Sequence, residues 1–107
     1  MTEAIQVSVT TDSADTAKEI SGALLELHLA ACVQIVGPIT SRYHWQGSIE
    51  TAEEYLCIIK TRKELYDRIE SAILDLHPYE VPEIIALPIV AASKDYLDWL
   101  MSETEST

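Results

Sequence analysis

The stretch that most constrains the fold of this chain is residues 77–83, His-Pro-Tyr-Glu-Val-Pro-Glu, which holds two prolines within seven residues. Proline fixes its own φ and moves the preceding residue out of the α region. His77 and Val81 each precede a proline and are therefore biased towards extended backbone. A helix that reaches His77 must end there, so the sequence predicts a stiff loop that joins a helix to the apolar run after it.

Apolar residues recur along the rest of the chain with the spacing of either a strand or a helix. Isoleucine and valine alternate with polar residues over 5–10, and helical spacing appears over 17–27 and again over 65–76. Two long extended segments, 32–45 and 48–61, lie between these helices, and a short helix closes the chain. The predicted element order is therefore β-α-β-β-α-β-α, which is an α+β arrangement.

The first six of these elements have the order of the ferredoxin-like split β-α-β unit, in which helices cover one face of an antiparallel sheet. The final helix is an addition to that unit, and residues 1–107 form a single domain. The last strand, the apolar run 84–90, is predicted to be covered on both faces or nearly so. Pro88 cannot donate to a ladder, which places this strand at an edge of the sheet.

Four local signals refine this prediction. Gly37-Pro38 interrupts the first long strand and predicts a bulge at which the side chains change faces. Gln46-Gly47 is typical of a tight turn between the two long strands. Thr61 with Glu64 fits a capping box for the second helix, and Gly22 inside the first helix indicates close packing on the sheet.

The two long strands are too long for one compact domain. Residues 32–45 span about 46 Å at about 3.3 Å each, whereas a domain of this size is only about 35 Å wide. The hairpin should therefore overhang, with Tyr43 and Trp45 near its tip. Exposed aromatic residues on a two-stranded ribbon predict burial against another copy of the chain. The alternative is a hairpin that curls back onto its own helices.

Several stretches resemble one known family in order and at plausible spacing. They are Ala-Ala-Cys-Val-Gln-Ile at 30–35, Ser-Arg-Tyr-His-Trp-Gln-Gly at 41–47, Lys-Thr at 60–61, the proline-rich stretch that runs into Ile84, and Tyr-Leu-Asp-Trp at 96–99. Together they resemble the CutA family of small trimeric proteins named for divalent-cation tolerance. The resemblance implies a homotrimer whose sheets and hairpins join across subunits, and a role in the response to divalent metal ions.

The charge of the chain limits its partners. The net charge is −11 and the isoelectric point is near 4.4. Such a surface repels phosphate backbones and anionic membranes, so we expect neither nucleic acid nor a membrane as a partner, and it concentrates cations. No leader-like segment and no apolar run long enough to span a bilayer is evident. With two cysteines compatible with a reducing compartment, the expected location is the cytoplasm.

Metal binding is the first chemistry to consider. Some family members resemble copper-binding proteins that use a cysteine in the first strand and histidines just before the Pro-Tyr pair, and only His77 carries over here. Glu80 and Glu83 could add oxygen ligands, although these residues do not have a standard ligand spacing. We therefore predict weak, trimer-dependent binding of Cu²⁺ or another divalent cation such as Zn²⁺. The competing interpretation is a histidine that ends a helix.

Other chemistry is less well supported by the sequence. Nothing places Ser41, His44 and Glu50 together, and the chain has only three glycines and no glycine-rich phosphate loop, so we expect no enzymatic activity. With the turn at 46–47, Cys32 faces roughly Thr61 and Cys57 faces roughly Val36. The two thiols are then too far apart to form a disulfide.

A polar cleft between subunits is the remaining possibility for function. Lys60, Tyr79 and Trp99 could line it together with Glu80, and the competing interpretation is a satisfied network of interface contacts. Such a cleft would make the protein a trimeric small-molecule sensor or scaffold of the PII-like type. An acidic ligand there would need Lys60 or Arg42 rather than a histidine.

Overall fold

The computed structural model of the protein describes residues 3–104 and confirms the predicted α+β fold. Four strands form one antiparallel sheet in the order β2-β3-β1-β4. The elements are β1 (Ala4–Thr11), α1 (Ala14–Glu26), β2 (Cys32–Trp45), β3 (Ser48–Arg62), a 3₁₀ turn (Lys63–Leu65), α2 (Tyr66–Leu76), β4 (Ile84–Pro88) and α3 (Lys94–Glu103).

The core lies between one face of the sheet and the helices α1 and α2. Alternate residues of β1 and β3 point to this face and pack against residues that recur at helical spacing on the two helices. The buried set is Val7, Val9, Ile20, Leu24, Cys57, Ile59, Ile69 and Ile73. Helix α1 begins at Ser13, whose Oγ accepts a hydrogen bond from the backbone N–H of Thr16 at 3.1 Å, as expected of an N-cap serine.

Two local predictions were wrong. Thr61 does not cap α2, because it lies within β3, is fully buried and donates its hydroxyl to the carbonyl oxygen of Leu29 at 2.6 Å. The second helix instead follows the 3₁₀ turn, and its N-cap residue Leu65 makes no side-chain cap. Gly22 does not pack on the sheet either: it is exposed, and a Cβ added there would meet nothing within 4 Å.

The hairpin of β2 and β3 has both predicted features. Gln46 and Gly47 have φ of 48° and 83°, so they form a two-residue turn of the left-handed kind that suits a twisted hairpin. A bulge lies between Val36 and Ile39, where two residues of β2 oppose one residue of β3. Below the bulge the even-numbered residues of β2 share a face with the even-numbered residues of β3. Above it the odd-numbered residues take that face, so the predicted switch is confirmed.

The bulge also explains an error in the predicted strand register. Without it, Cys32 would oppose Thr61 and Cys57 would oppose Val36. Because the bulge leaves one residue of β2 without an opposite residue in β3, the pairing beyond it shifts by one. Cys32 therefore pairs with Lys60, and Cys57 pairs with Ile35. Both cysteines are free, as predicted.

Among the strands that the structure describes, β4 lies at the sheet edge and pairs with β1 alone, as Pro88 predicted. The prediction that both of its faces are covered is wrong for the single chain, because Ile85 and Leu87 are about half exposed, at 49% and 53%. These side chains lie on the sheet face opposite α1 and α2. We call this the open face; its apolar members are Val36, Leu56, Ile58, Ile85 and Leu87.

The molecule measures 44 × 25 × 21 Å along its principal axes. Tyr43 and Trp45 remain 43% and 38% exposed near the end of the hairpin. Within residues 3–104, no helix has both the length and the apolar character needed to cross a membrane. The trimer stays a prediction, because the structure describes a single chain.

Candidate functional site

A cleft of about 870 Å³ lies between the end of the hairpin and the loop after α2. One wall is the segment 41–45 of β2, and the other is the proline-rich segment 78–83. Thr10 of β1 and Glu54 of β3 also line it. The bulge and the two prolines thus shape the two walls of the same cleft.

At the base of this cleft Tyr79 contacts Glu54. The hydroxyl of Tyr79 donates to Oε2 of Glu54 at 2.9 Å, and Glu54 is only 5% exposed. Burial raises the pKa of the Tyr79 phenol well above its ordinary value, and the hydrogen bond and charge of Glu54 raise this pKa further. Smaller contributions come from Asp12 and Tyr43. The phenol is therefore a neutral hydrogen-bond donor at physiological pH.

His77 holds the start of the loop in place. It is the C-cap residue of α2, with extended φ and ψ of −81° and 132°. Its Nε2 donates to the carbonyl oxygen of Thr10 at 2.7 Å, and its Nδ1 accepts from the backbone N–H of Tyr79 at 3.2 Å. Its ring also meets the Tyr79 ring edge-on, with centroids 4.8 Å apart. The Nε2–H tautomer of the neutral ring satisfies both contacts, which leaves neither nitrogen directed at a cation.

The other predicted metal ligands lie in the cleft without forming a metal site. Glu80 and Glu83 line it together with Glu54. Among residues 3–104, however, no three His, Cys, Asp or Glu side chains come close enough together to hold a metal ion. First-row metals need several donors at fixed distances. The donor set of one chain therefore does not fit a specific copper site built on His77, Glu80 and Glu83.

The residues predicted for an inter-subunit cleft divide into two groups. Tyr79 lines the observed cleft, whereas Lys60 and Trp99 do not. The ammonium group of Lys60 donates to Oε1 of Gln34 at 2.9 Å, and the Trp99 ring lies 5.6 Å from the Tyr96 ring on α3. Any cleft that joins Lys60 and Trp99 to Tyr79 would need a second chain, so that assignment stays a prediction.

Tyr43 and Trp45, predicted as trimer contacts, both line the cleft, as do Ser41, Arg42 and His44.

Glu50 does not line the cleft, so the Ser41, His44 and Glu50 set is not assembled there. The guanidinium Nε of Arg42 donates to the Thr51 hydroxyl at 3.3 Å.

Glu54 is the site residue that the sequence did not reveal. It pairs with Ile39, directly above the bulge, and so shares a face of the ribbon with Tyr43 and Trp45. The signal was available in principle, because the predicted turn at Gln46-Gly47 sets the register that pairs Glu54 with Ile39. The contact of Glu54 with Tyr79, which lies 25 residues further along the chain, could not be read from that register.

The fold and the site together define a class: a ferredoxin-like α+β protein with a cleft lined by carboxylates and aromatic rings. The family profile described as CutA1 divalent ion tolerance protein matches residues 5–103. The chain therefore belongs to the CutA1 divalent ion tolerance protein family.

Individual relatives agree with this assignment. The divalent-cation tolerance protein CutA of Thermus thermophilus is 44% identical over 98 residues, which cover 92% of this chain and 95% of that protein. Human Protein CutA is also 44% identical over 98 residues, but this chain spans only 55% of its length. The crystal structure of CutA1 from Oryza sativa superposes with a TM-score of 0.95 at 41% identity, covering 98% of this chain and 96% of the other.

Proposed function

We propose that this protein acts in tolerance of divalent metal ions as a cytoplasmic homotrimer that binds such cations weakly in the cleft. The observation that carries the proposal is the presence of three carboxylates, Glu54, Glu80 and Glu83, on one cleft of a chain in this family. Carboxylate oxygens bind divalent cations, and the net charge of −11 raises the local cation concentration. The proposal assigns no catalytic step to the protein.

Weak binding follows from the arrangement of these donors. Because no three donors converge in residues 3–104, a cation would retain most of its water ligands and contact the carboxylates one or two at a time. Cu²⁺ should bind more tightly than Zn²⁺, since the divalent first-row metals follow that order at sites of this kind. We expect the carboxylates, rather than His77, to carry the binding, because both ring nitrogens of His77 already have partners.

The homotrimer is supported by surface that a single chain leaves uncovered. The open face exposes Val36 at 44%, in addition to the two exposed β4 residues, and the hairpin end exposes the Trp45 ring at 38%. Contiguous apolar surface of this kind marks an interaction site on a soluble protein. The free cysteines are compatible with the reducing conditions of the cytoplasm.

The metal proposal is tested by calorimetric titration of Cu²⁺ and Zn²⁺ into wild type and a Glu80→Gln, Glu83→Gln double variant. A Glu19→Gln, Glu26→Gln variant is the matched control, because it removes the same charge from exposed positions of α1. We expect affinity to fall about tenfold in the cleft variant and to stay near the wild-type value in the control. An equal loss of metal affinity in both variants would contradict the proposal, because it would show that the cations are held only as a diffuse ion atmosphere.

A second candidate function is a PII-like sensor of a small molecule. The cleft volume of about 870 Å³ lies within the roughly 300–1,000 Å³ typical of small-molecule sites. Arg42 lines this cleft and could meet an acidic ligand. An anionic ligand would lose affinity in an Arg42→Gln variant and keep it in the double glutamine variant of the cleft, which is the opposite of the result expected for a cation.

A further inference from the structure

Within residues 3–104, Glu54 is a buried carboxylate that has no cationic partner. It is 5% exposed, and across residues 3–104 its one hydrogen-bond donor is the neutral Tyr79 hydroxyl, which binds Oε2. No Lys or Arg of the described residues forms an ion pair with it. Buried carboxylates are normally paired with a positive charge. An ionised carboxylate has about four acceptor positions, so Glu54 keeps capacity for a cationic donor from the cleft.

Aromatic rings line the same cleft as that carboxylate. Register pairs Tyr43 with Glu50 and Trp45 with Ser48, and these β3 residues have the same parity as Glu54. Tyr43, Trp45 and Glu54 therefore occupy one face of the ribbon. Tyr79 faces them across the cleft. Aromatic faces next to a carboxylate are the surroundings that favour organic ammonium groups, through cation–π attraction and charge together.

The arrangement discriminates between kinds of cation. A metal ion needs several donors on one centre, and the described residues bring no three together. An alkylammonium group instead needs one or two acceptors, and it gains from contact between its carbon atoms and aromatic rings. Glu80 and Glu83, which lie on the opposite wall from Tyr43 and Trp45, offer a second negative region to a ligand with two positive ends.

We infer that the cleft binds an organic diammonium ligand of the diamine or polyamine class, with one ammonium group on Glu54 and the alkyl chain against Tyr43 and Tyr79. The inference rests on the proposed cation-binding function of this cleft and identifies a different class of cation for it. The second ammonium group contacts Glu80 or Glu83.

The test is calorimetric titration of 1,4-diaminobutane into metal-free wild-type protein at physiological ionic strength, with 1,4-butanediol as the uncharged control. We expect saturable binding of the diamine that EDTA does not remove, and none of the diol. A Glu54→Gln variant, which preserves side-chain shape, should weaken diamine binding about tenfold or more. Glu53→Gln makes the same charge change at an exposed position on the opposite face of the same strand, outside the cleft, and should leave affinity within about twofold.

A second variant protects the test against a folding defect in Glu54→Gln. Tyr43 lies at an exposed position of the hairpin, so Tyr43→Leu removes the aromatic ring without disturbing the core. This variant should weaken diamine binding about threefold. Circular dichroism checks the fold of each variant. Failure of the diamine to saturate, diol binding equal to diamine binding, or equal losses in Glu54→Gln and Glu53→Gln would overturn the inference.

The outcomes also separate this inference from the metal proposal. If Cu²⁺ and Zn²⁺ lose affinity in the double glutamine variant while the diamine does not bind wild type, the inference fails and the metal proposal stands. If the diamine binds through Glu54 while neither metal binds, the metal proposal fails and the cleft is an organic-cation site.

Discussion

Nε2 of His77 donates a hydrogen bond to the carbonyl oxygen of Thr10 at 2.7 Å, which ties the end of α2 to the end of β1. The other ring nitrogen accepts the backbone N–H of Tyr79. The histidine therefore fixes where the proline-rich loop starts, and through Tyr79 it fixes one wall of the cleft. This is a positioning role, distinct from that of a metal ligand.

Replacing His77 by alanine should destabilise the fold, because the buried carbonyl of Thr10 loses its side-chain donor. We expect a loss of about 1–3 kcal/mol in the free energy of unfolding, measured by urea denaturation. His44→Ala, on the exposed part of the hairpin, is the matched control and should change stability by less than about 0.5 kcal/mol. An unchanged midpoint for His77→Ala would remove the positioning role.

Replacing Gly37 and Gly22 by alanine should change the stability of the fold in opposite directions. A Cβ on Gly37 would lie 2.3 Å from Cδ2 and 2.9 Å from Cγ of the Tyr55 ring, so Gly37→Ala should cost about 1–3 kcal/mol. Gly22 lies in a helix with open space around it, so Gly22→Ala should stabilise by about 0.5–1 kcal/mol. Thermal unfolding of both variants beside wild type measures the two signs, and a stabilised Gly37→Ala would contradict the packing at the bulge.

Arg62 should hold α3 on the sheet. It is 8% exposed; its Nε donates to the Thr104 hydroxyl at 2.9 Å, and Nη2 donates to the carbonyl oxygens of Met101 and Thr104. Arg62→Met keeps much of the side-chain volume but removes these donors, and should cost about 2–3 kcal/mol. Lys63→Met, at an exposed neighbouring position, should be close to neutral. Equal effects of the two substitutions on the urea midpoint would contradict the role of Arg62.

Cys57 and Cys32 should differ in reactivity although both are free. Burial raises the pKa of the Cys57 thiol from 9.0 to about 11, whereas Cys32 is only partly buried. We expect a thiol reagent at neutral pH to modify Cys32 first, and a denaturant to release two thiols per chain. A count near zero under denaturing, non-reducing conditions would contradict the strand register.

The raised pKa of the Cys57 thiol also makes the stability of the fold depend on pH. Because the folded-state pKa of Cys57 is raised, the neutral thiol contributes stability that is fully present below pH 9.0 and is lost as pH rises towards about 11. Cys57→Ser, compared with wild type by urea denaturation between these pH values, should flatten this part of the profile. An identical profile in both proteins would contradict the assignment.

Periodicity predicted most of the fold, because the helices and β1 each bury one regular face. Pro88 placed β4 at the edge because proline has no N–H to donate to a ladder. The predicted capping box at Thr61 was wrong because the Thr61 hydroxyl donates to the backbone carbonyl oxygen of Leu29 inside the protein. Tertiary contacts of this kind override local propensity. The coverage of β4 could not be read from its apolar run, since that run would look the same if a second chain covered it.

The site was only partly accessible from sequence. Tyr79, Glu80 and Glu83 were identified from a stretch whose chemistry is contiguous in the chain. Glu54 was missed because its place in the site depends on contact with Tyr79, which lies 25 residues further along the chain. His77 contacts the backbone carbonyl oxygen of Thr10, which is distant in sequence. A backbone atom leaves no signal in the sequence, so this contact could not be predicted.

The proposed homotrimer and its uptake of divalent cations through the cleft carboxylates can be tested together. Native mass spectrometry of untagged protein, titrated with Cu²⁺ and Zn²⁺, counts chains and bound ions in one measurement. We expect a single species of three chains whose cation uptake falls in the Glu80→Gln, Glu83→Gln variant. A stable monomer, or equal uptake by wild type and that variant, would contradict the proposal.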